Sequence, residues 1–171
     1  MNSLPTLHAS AVLAGARAIL IRGPAGSGKS RLALRLIQAA SNGELIFARL
    51  VADDRVHVEA VHDRLIARPP AAIAGLLEVR GLGIKRLPYE PVAVVSWVVD
   101  LGVAEPMRLP DDLAAHTVIA GIRIERLAVA PGFDPLPMVL VAVKSRPEQF
   151  GDASVSANGV SPEKPLRSAL R

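Results

Sequence analysis

The chain has 171 residues, a length that favours one domain built around one hydrophobic core. Half of the residues are hydrophobic but only 3% are aromatic, so we expect a core of aliphatic side chains, which suits layered α/β structure. The chain has no cysteine, which excludes disulfides and thiol chemistry and removes the commonest ligands of structural zinc.

The net charge of +4, from 20 Lys and Arg against 16 Asp and Glu, is only moderately basic. The arginines are scattered and aromatic residues are few, so the basic stripe with stacking aromatics that is typical of nucleic-acid binding is missing. No apolar run reaches the roughly 18 residues that cross a bilayer, and the amino terminus has no signal-peptide pattern. We therefore expect a cytoplasmic protein without nucleic-acid or membrane partners.

Two short apolar runs, residues 7–13 and 18–22, are separated by Gly15 and predict an antiparallel pair of strands. Leucines recur at helical spacing from Gly28 to about Ala40, which predicts an amphipathic helix after the second strand. The sequence therefore begins with two strands that lead into a helix.

The next apolar run, residues 45–52, is broken only by Arg49 and is typical of a strand buried on both faces. It is followed by two acidic residues, Asp53 and Asp54. Residues 56–61 and 64–68 then alternate in polarity and predict a hairpin.

The second half of the chain carries weaker patterns. They predict a short helix over 71–76, a central strand over 92–101, a polar surface loop over 102–112, strands near 117–120 and 122–130, and a helix from Asp134 to about Ser145. Segment 77–84, LEVRGLGI, places charges beside two glycines and favours a functional turn over a core strand. Residues 146–171 lose all periodicity, so we expect a folded domain over 1–145 and a disordered tail.

The segment GPAGSGKS, residues 23–30, matches the phosphate-loop pattern G-x-x-x-x-G-K-[ST] at every fixed position. It lies between a predicted strand and a predicted helix, where backbone N–H groups and the helix dipole can surround phosphate oxygens. Lys29 is expected to reach the β- and γ-phosphates of ATP, and the Ser30 hydroxyl to bind Mg²⁺. The residues predicted to bind the nucleotide are Gly23, Ala25, Gly26, Ser27, Gly28, Lys29 and Ser30.

Phosphate-loop enzymes also use an acid at the end of a neighbouring buried strand, and Asp53 and Asp54 follow such a predicted strand. Two adjacent carboxylates on an extended backbone point in different directions. We therefore expect one of them to face the phosphates and the two to have different roles.

Three segments together resemble the HPr serine kinase/phosphorylase family. They are LHASAV with His8, GPAGSGKS with its helix and LVADDRV, and LEVRGLGI. The last segment is the most specific, because it is not a general nucleotide-binding pattern. The resemblance covers roughly residues 5–100 and implies a P-loop kinase fold of the phosphoenolpyruvate carboxykinase-like type, with a mixed central sheet flanked by helices.

This resemblance implies an activity and a partner. The family transfers phosphate from ATP to a serine of an HPr-type phosphocarrier protein of a bacterial phosphotransferase system. The resemblance also suggests that the chain forms a homo-oligomer. Because the chain begins almost at the kinase core, we expect a short form without the family's amino-terminal domain.

The resemblance also implies roles for single residues. The family's catalytic histidine matches His8, its phosphate-loop lysine matches Lys29, and its general base, which accepts the proton of the serine hydroxyl, matches Asp53. Arg108, in the segment MRLP, is the counterpart of a catalytic arginine. The implied metal ligands are Ser30, Asp54 and Glu78.

One segment departs from the family pattern. PGFD, residues 131–134, replaces the stretch Pro-Gly-Arg-Asn that is associated with phosphorolysis of seryl phosphate. Replacement of an arginine by Phe133 removes a charge-assisted donor to phosphate. We therefore predict that phosphorylase activity is weak or absent.

Two alternatives to an HPr kinase stay open at this point. The chain could be a phosphate-loop kinase with another acceptor, or a nucleotide-binding regulator that has lost turnover. A nucleic-acid-binding module is the least favoured reading, because the charge pattern does not support it.

Overall fold

A nine-stranded mixed sheet forms the frame of the structure, a computed structural model that describes residues 6–145. The tail predicted over 146–171 lies outside the described residues. In chain order the elements are β1 (Thr6–Leu7), β2 (Ala9–Ala14), β3 (Arg17–Arg22), α1 (Lys29–Ser41), β4 (Ala48–Ala52), β5 (Val56–Val61), β6 (Arg64–Arg68), β7 (Leu76–Val79), β8 (Gly83–Arg86), β9 (Ala93–Leu101), β10 (His116–Ile119), β11 (Ile122–Val129) and α2 (Leu136–Ser145).

The main sheet has the strand order β1-β5-β6-β9-β3-β2-β4, and β11 joins it by pairing with the second half of β9. Strands β3, β9 and β11 run parallel, so their carboxyl ends meet at one edge of the sheet. Strand β4 pairs antiparallel with β2, which pairs antiparallel with β3, so β4 also ends at that edge. Four strands therefore deliver the residues that follow them to the same place.

The two faces of the sheet are covered differently. Leu36 of α1 and Leu140 of α2 pack with Ile21 on one face. Leu20 and Val98 point to the opposite face, where they pack with side chains of the outer strands β5, β6, β10 and β11. The sheet thus curls over its second face, and both helices lie on the first face. The mixed α/β architecture is confirmed, while its relation to phosphoenolpyruvate carboxykinase stays a prediction.

The core composition matches the expectation from the sequence. Within residues 6–145, the buried hydrophobic side chains are all Ala, Val, Leu or Ile. No helix in this part of the chain is long and apolar enough to cross a membrane.

Most predicted elements are confirmed: the first strand pair, the helix after it, the hairpin, the central strand, the two late strands and the last helix. The hairpin turns at His62 and Asp63, whose φ angles of 46° and 59° give the backbone twist that suits a two-residue connection. The polar segment over 102–112 lies between β9 and β10 as predicted.

The strand predicted over 45–52 is too long. It begins only at Ala48, because the N–H groups of Glu44 and Leu45 donate to the carbonyl oxygen of Ala39 and tie this segment to the end of α1. Leu45 is buried in the helix-side core, whereas Ile46 is fully exposed. The apolar run therefore serves two structural elements.

Two further predictions need correction. The helix expected over 71–76 is reduced to a single 3₁₀ turn, Ala71–Ile73. Segment 77–84 is not only a turn, since it belongs to a two-stranded hairpin of β7 and β8 that stands outside the main sheet. Leu77 anchors this hairpin in the core, while all four residues of β8 are exposed.

Candidate active site

The phosphate loop, residues 23–30, connects β3 to α1 as the motif requires. Gly23 has a φ of 151°, and a side chain there would lie 2.8 Å from the carbonyl oxygen of Leu101. Gly28 has a φ of 98° immediately before the first residue of α1. These conformations favour glycine, so the loop follows closely against β9 and ends at the helix amino terminus.

The side chain of Lys29 is held against the loop. It is only 7% exposed, and its Nζ donates to the carbonyl oxygens of Gly23 and Pro24 at 3.0 Å each. Within the described part of the chain, the buried Ser27 Oγ has no hydrogen-bond partner. Buried polar atoms are normally paired, so a phosphate oxygen in the loop would satisfy this hydroxyl.

Asp53 is buried at the end of β4 and receives three hydrogen bonds. Its Oδ1 accepts from Ser10 Oγ at 2.5 Å and from Ser30 Oγ at 2.9 Å. Its Oδ2 accepts from the backbone N–H of Glu78 at 3.2 Å. The carboxylate is therefore fixed by β2, α1 and β7, directly beside the hydroxyl of the phosphate loop.

Asp54 has a different environment from its neighbour. Its φ of 64° is left-handed, and its side chain is 67% exposed. Its Oδ1 lies 3.3 Å from Nδ1 of His8. The predicted catalytic histidine therefore pairs with Asp54, and not with Asp53, to which the resemblance assigns the base role.

The remaining predicted residues are less tightly placed. The side chain of Glu78 is exposed on β7, although its backbone joins the cluster through Asp53. Arg108 is exposed in the loop between β9 and β10 and has no hydrogen bond to the cluster among the described residues. The structure thus brings together the predicted residues His8, Lys29, Ser30, Asp53, Asp54 and Glu78.

The oxygen atoms of this cluster fit Mg²⁺, although residues 6–145 contain no group of three or more His, Cys, Asp or Glu side chains that could enclose an ion. Magnesium in phosphate-binding sites usually takes one or two protein oxygens and completes its shell with phosphate and water. Ser30 Oγ and the Asp53 carboxylate are hard oxygen ligands in contact with each other. They meet this requirement without a larger cage.

A cleft of about 570 Å³ extends from the phosphate loop. Arg31 and Arg35 of α1 line one wall, and the ends of β9 and β11 with the turn 130–134 line the other. Arg35 donates two hydrogen bonds to Asp134, at 2.5 Å and 3.0 Å. This ion pair joins the turn before α2 to the helix that begins at the phosphate loop.

A network of ion pairs joins the strands that lead to the phosphate loop and to its cleft. Arg22, the residue before Gly23, donates to both oxygens of Asp100 at 2.7 Å and 2.8 Å, and Arg126 donates at 2.6 Å. Burial alone raises the pKa of Asp100, but the hydrogen bonds from the two arginines outweigh it and hold the pKa below its usual range. The network ties β3, β9 and β11 together.

Sequence reasoning missed Ser10 and this network. Ser10 lies two residues after His8 in a segment that had been singled out, so its position was a usable signal. Asp100 is the one charged residue of the apolar run 92–101, which is also a visible signal. Its partners lie 78 and 26 residues away along the chain and could not be identified before the strand pairing was known.

Residues 3–87 match the family described as HPr Serine kinase C-terminal domain. The chain is 46% identical over 70 residues to an HPr kinase/phosphorylase of Clostridium tetani, a match that covers 41% of this chain and 21% of the relative. It is 44% identical over 78 residues to an HPr kinase/phosphorylase of Clostridium beijerinckii, covering 46% of this chain and 24% of the relative. The matches thus span less than a quarter of the length of these curated relatives.

The fold has a solved counterpart. The Hpr(Ser) kinase/phosphatase from Coxiella burnetii superimposes with a TM-score of 0.64 at 25% sequence identity, covering 82% of this chain and 89% of that chain. The structural likeness therefore extends well beyond the segment matched by sequence.

Proposed function

Since residues 3–87 belong to the HPr Serine kinase C-terminal domain family, we propose that the chain is an ATP- and Mg²⁺-dependent serine protein kinase. Its acceptor is an HPr-type phosphocarrier protein of a bacterial phosphotransferase system, as the sequence resemblance implies, and the curated relatives are named HPr kinase/phosphorylase. The observation that carries the proposal is the contact of Ser30 with the buried Asp53, beside the exposed pair of Asp54 and His8. We further propose that the protein acts in the cytoplasm as a homo-oligomer.

Lys29 and the loop amides bind the β- and γ-phosphates in this proposal. The carbonyl contacts of Lys29 are neutral, so its ammonium can exchange them for charged phosphate oxygens at little cost in hydrogen bonds. Ser30 and Asp53 hold the metal. Mg²⁺, when bound with ATP, supplies charge neutralisation at the transferred phosphate.

We assign the proton transfer to Asp54 rather than to Asp53. Asp53 accepts three hydrogen bonds and is 4% exposed, so an incoming serine hydroxyl has little access to its oxygens. Asp54 follows Asp53 and is exposed, and His8 Nδ1 lies 3.3 Å from the Asp54 carboxylate. An exposed carboxylate oriented by a histidine can accept the proton of a hydroxyl that a protein partner presents.

The other predicted roles remain proposals. Glu78 is a candidate outer ligand of the metal, because its backbone already contacts Asp53. Arg108 is a candidate contact of the acceptor or of the transferred phosphate, since it lies in an exposed loop. The cleft supports the proposal of weak phosphorylase activity. Phe133 stands there in place of the family's arginine, and Arg35 is already paired with Asp134.

The test is incubation of the full chain with Mg²⁺, labelled ATP and a purified HPr-type protein, followed by mapping of the phosphorylated residue. Lys29→Ala and Asp54→Asn are expected to reduce transfer at least a hundredfold. Asp63→Asn, in the β5–β6 turn outside the cluster, is the matched control and should behave as wild type.

The outcomes separate the alternatives. Phosphoserine on the HPr-type protein supports the proposal. ATP binding without transfer to any protein favours a nucleotide-binding regulator, and transfer only to another acceptor favours a different kinase. Release of phosphate from phosphoserine-HPr at a rate similar to the forward reaction contradicts the assignment of weak phosphorylase activity.

A further inference from the structure

An exposed aromatic ring lies on the cleft beside the phosphate loop. Phe133 is 74% exposed, although large apolar side chains are usually buried. It is the one aromatic residue in the described lining of the cleft. The cavity volume of about 570 Å³ falls within the range of about 300–1,000 Å³ typical of small-molecule sites, so a ligand in it could cover the exposed ring.

The backbone that carries this ring is well fixed. Gly132 has a φ of 81°, and the N–H of Phe133 donates to the carbonyl oxygen of Ala130 at 3.3 Å. Asp134 accepts two hydrogen bonds from Arg35 and a third from the N–H of Leu136 at 3.1 Å. The turn is therefore held both to α1 and to the start of α2, so the backbone that carries the ring keeps its position relative to the phosphate loop.

The order of the strands gives the direction in which a bound nucleotide must extend. The phosphate loop follows β3, and the acid that contacts Ser30 follows β4, which lies beyond β2 on one side of β3. The cleft is lined by the residues after β9 and β11, which lie on the other side of β3. If the terminal phosphate lies beside Ser30 and Asp53, the nucleoside end points into the cleft.

Charge in the cleft supports the same direction. Arg31 lines it from the first turn of α1, where it can meet the phosphate nearest the ribose. The rest of the wall is largely apolar, with Leu101, Val129 and Pro131 near the strand ends. A cation near the loop followed by apolar surface and an aromatic ring matches the sequence of phosphate, sugar and base in a nucleotide.

From this arrangement we propose that Phe133 stacks on the base of the bound nucleoside triphosphate and supplies much of the affinity for the nucleoside. The inference rests on the proposed function, since it requires that the phosphate loop binds ATP. Replacement of an aromatic side chain that stacks on a base by alanine typically weakens binding by about tenfold or more. Every base has a stacking face, so Phe133 confers affinity without strong selection between adenine and guanine.

The experiment is calorimetric titration of the full chain with Mg²⁺-ATP and, separately, with Mg²⁺-tripolyphosphate, which lacks the base and the ribose. Phe133→Ala is expected to weaken ATP binding by about tenfold or more and to leave tripolyphosphate binding unchanged. Phe133→Trp retains a stacking face and is expected to bind ATP as wild type does. The control is Val141→Ala, which removes an exposed apolar side chain of α2 outside the cleft.

The two proposals fail in different ways. If the wild-type chain binds neither ligand, the proposed function fails and the stacking inference fails with it. If the wild type binds both ligands but Phe133→Ala binds ATP normally, only the inference about Phe133 is overturned. Equal loss of ATP and tripolyphosphate binding in Phe133→Ala also overturns it, because the ring would then act by maintaining the loop.

Discussion

Replacement of Asp100 by asparagine removes the charge from a largely buried carboxylate that pairs with two arginines. Arg22 and Arg126 both donate to it, and the three side chains join the parallel strands β3, β9 and β11. Asparagine keeps the volume of aspartate and one acceptor oxygen, so the substitution tests the charge rather than the packing. It leaves both guanidinium groups without their counter-ion at the base of the phosphate loop.

The expected cost follows from burial. Breaking a buried ion pair typically costs about 3–5 kcal/mol. Here the side chains of Arg22 and Arg126 remain 29% and 25% exposed and that of Asp100 14% exposed, so water can solvate part of the released charge. We expect a loss of about 2–3 kcal/mol in the free energy of unfolding. At about 0.3 kcal/mol per kelvin of unfolding entropy for a domain of this size, Tm falls by roughly 7–10 °C.

The assay is thermal unfolding by circular dichroism, with denaturant unfolding for the free energy. Glu59→Gln is the matched control, because it breaks the exposed pair with Arg68 and should cost less than about 1 kcal/mol. The reasoning is refuted if Asp100→Asn costs no more than this control.

The pH dependence of the free energy of unfolding gives a second test of the ion pairs of Asp100. Hydrogen bonds from the arginines hold the folded-state pKa of Asp100 below its ordinary value of 3.8 despite burial. Its charge therefore stabilises the fold above pH 3.8, and this contribution is lost as the pH falls through the lower folded-state pKa. The stabilities of wild type and Asp100→Asn should converge in acid and differ fully at neutral pH.

Three other predictions concern the site itself. Gly23→Ala should abolish ATP binding in calorimetry, because the added methyl group would lie 2.8 Å from the carbonyl oxygen of Leu101. Asp54→Asn should reduce phosphotransfer at least a hundredfold while ATP affinity is unchanged. Asp53→Asn should instead weaken Mg²⁺-dependent ATP binding. The reverse pattern would contradict our assignment of the two acids. Ser10→Ala should lower stability in denaturant by about 1 kcal/mol, because Asp53 loses one of three buried donors, and no change would show that this hydrogen bond contributes little.

Local patterns were sufficient for much of the fold. Short apolar runs and the position of Gly15 identified the strands before the phosphate loop, and the motif located the loop and the start of α1. The run 45–52 shows the limit of such patterns. Leu45 packs in the core beside α1 and does not belong to a strand. Hydrophobicity alone does not distinguish these two environments.

Most residues of the candidate site could be predicted, with Ser10 as an exception, but their arrangement could not. The rule that adjacent carboxylates diverge predicted that Asp53 and Asp54 face different surroundings. Which of them meets Ser30 depends on the left-handed backbone at Asp54 and on the pairing of β4 with β2. Neither property can be read from the local sequence, so our proposal that Asp54 is the base rests on the structure.

The position of β2 explains why the segment around His8 belongs to the site at all. Strand β2 lies between β3, which leads into the phosphate loop, and β4, which leads into the acids. Because β2 runs antiparallel to both, its amino end lies at the edge where they end. That end presents His8 to Asp54 and Ser10 to Asp53. This intervening strand would otherwise separate the phosphate loop from the acids. The polar residues at its amino end allow one sheet edge to hold the loop and both carboxylates.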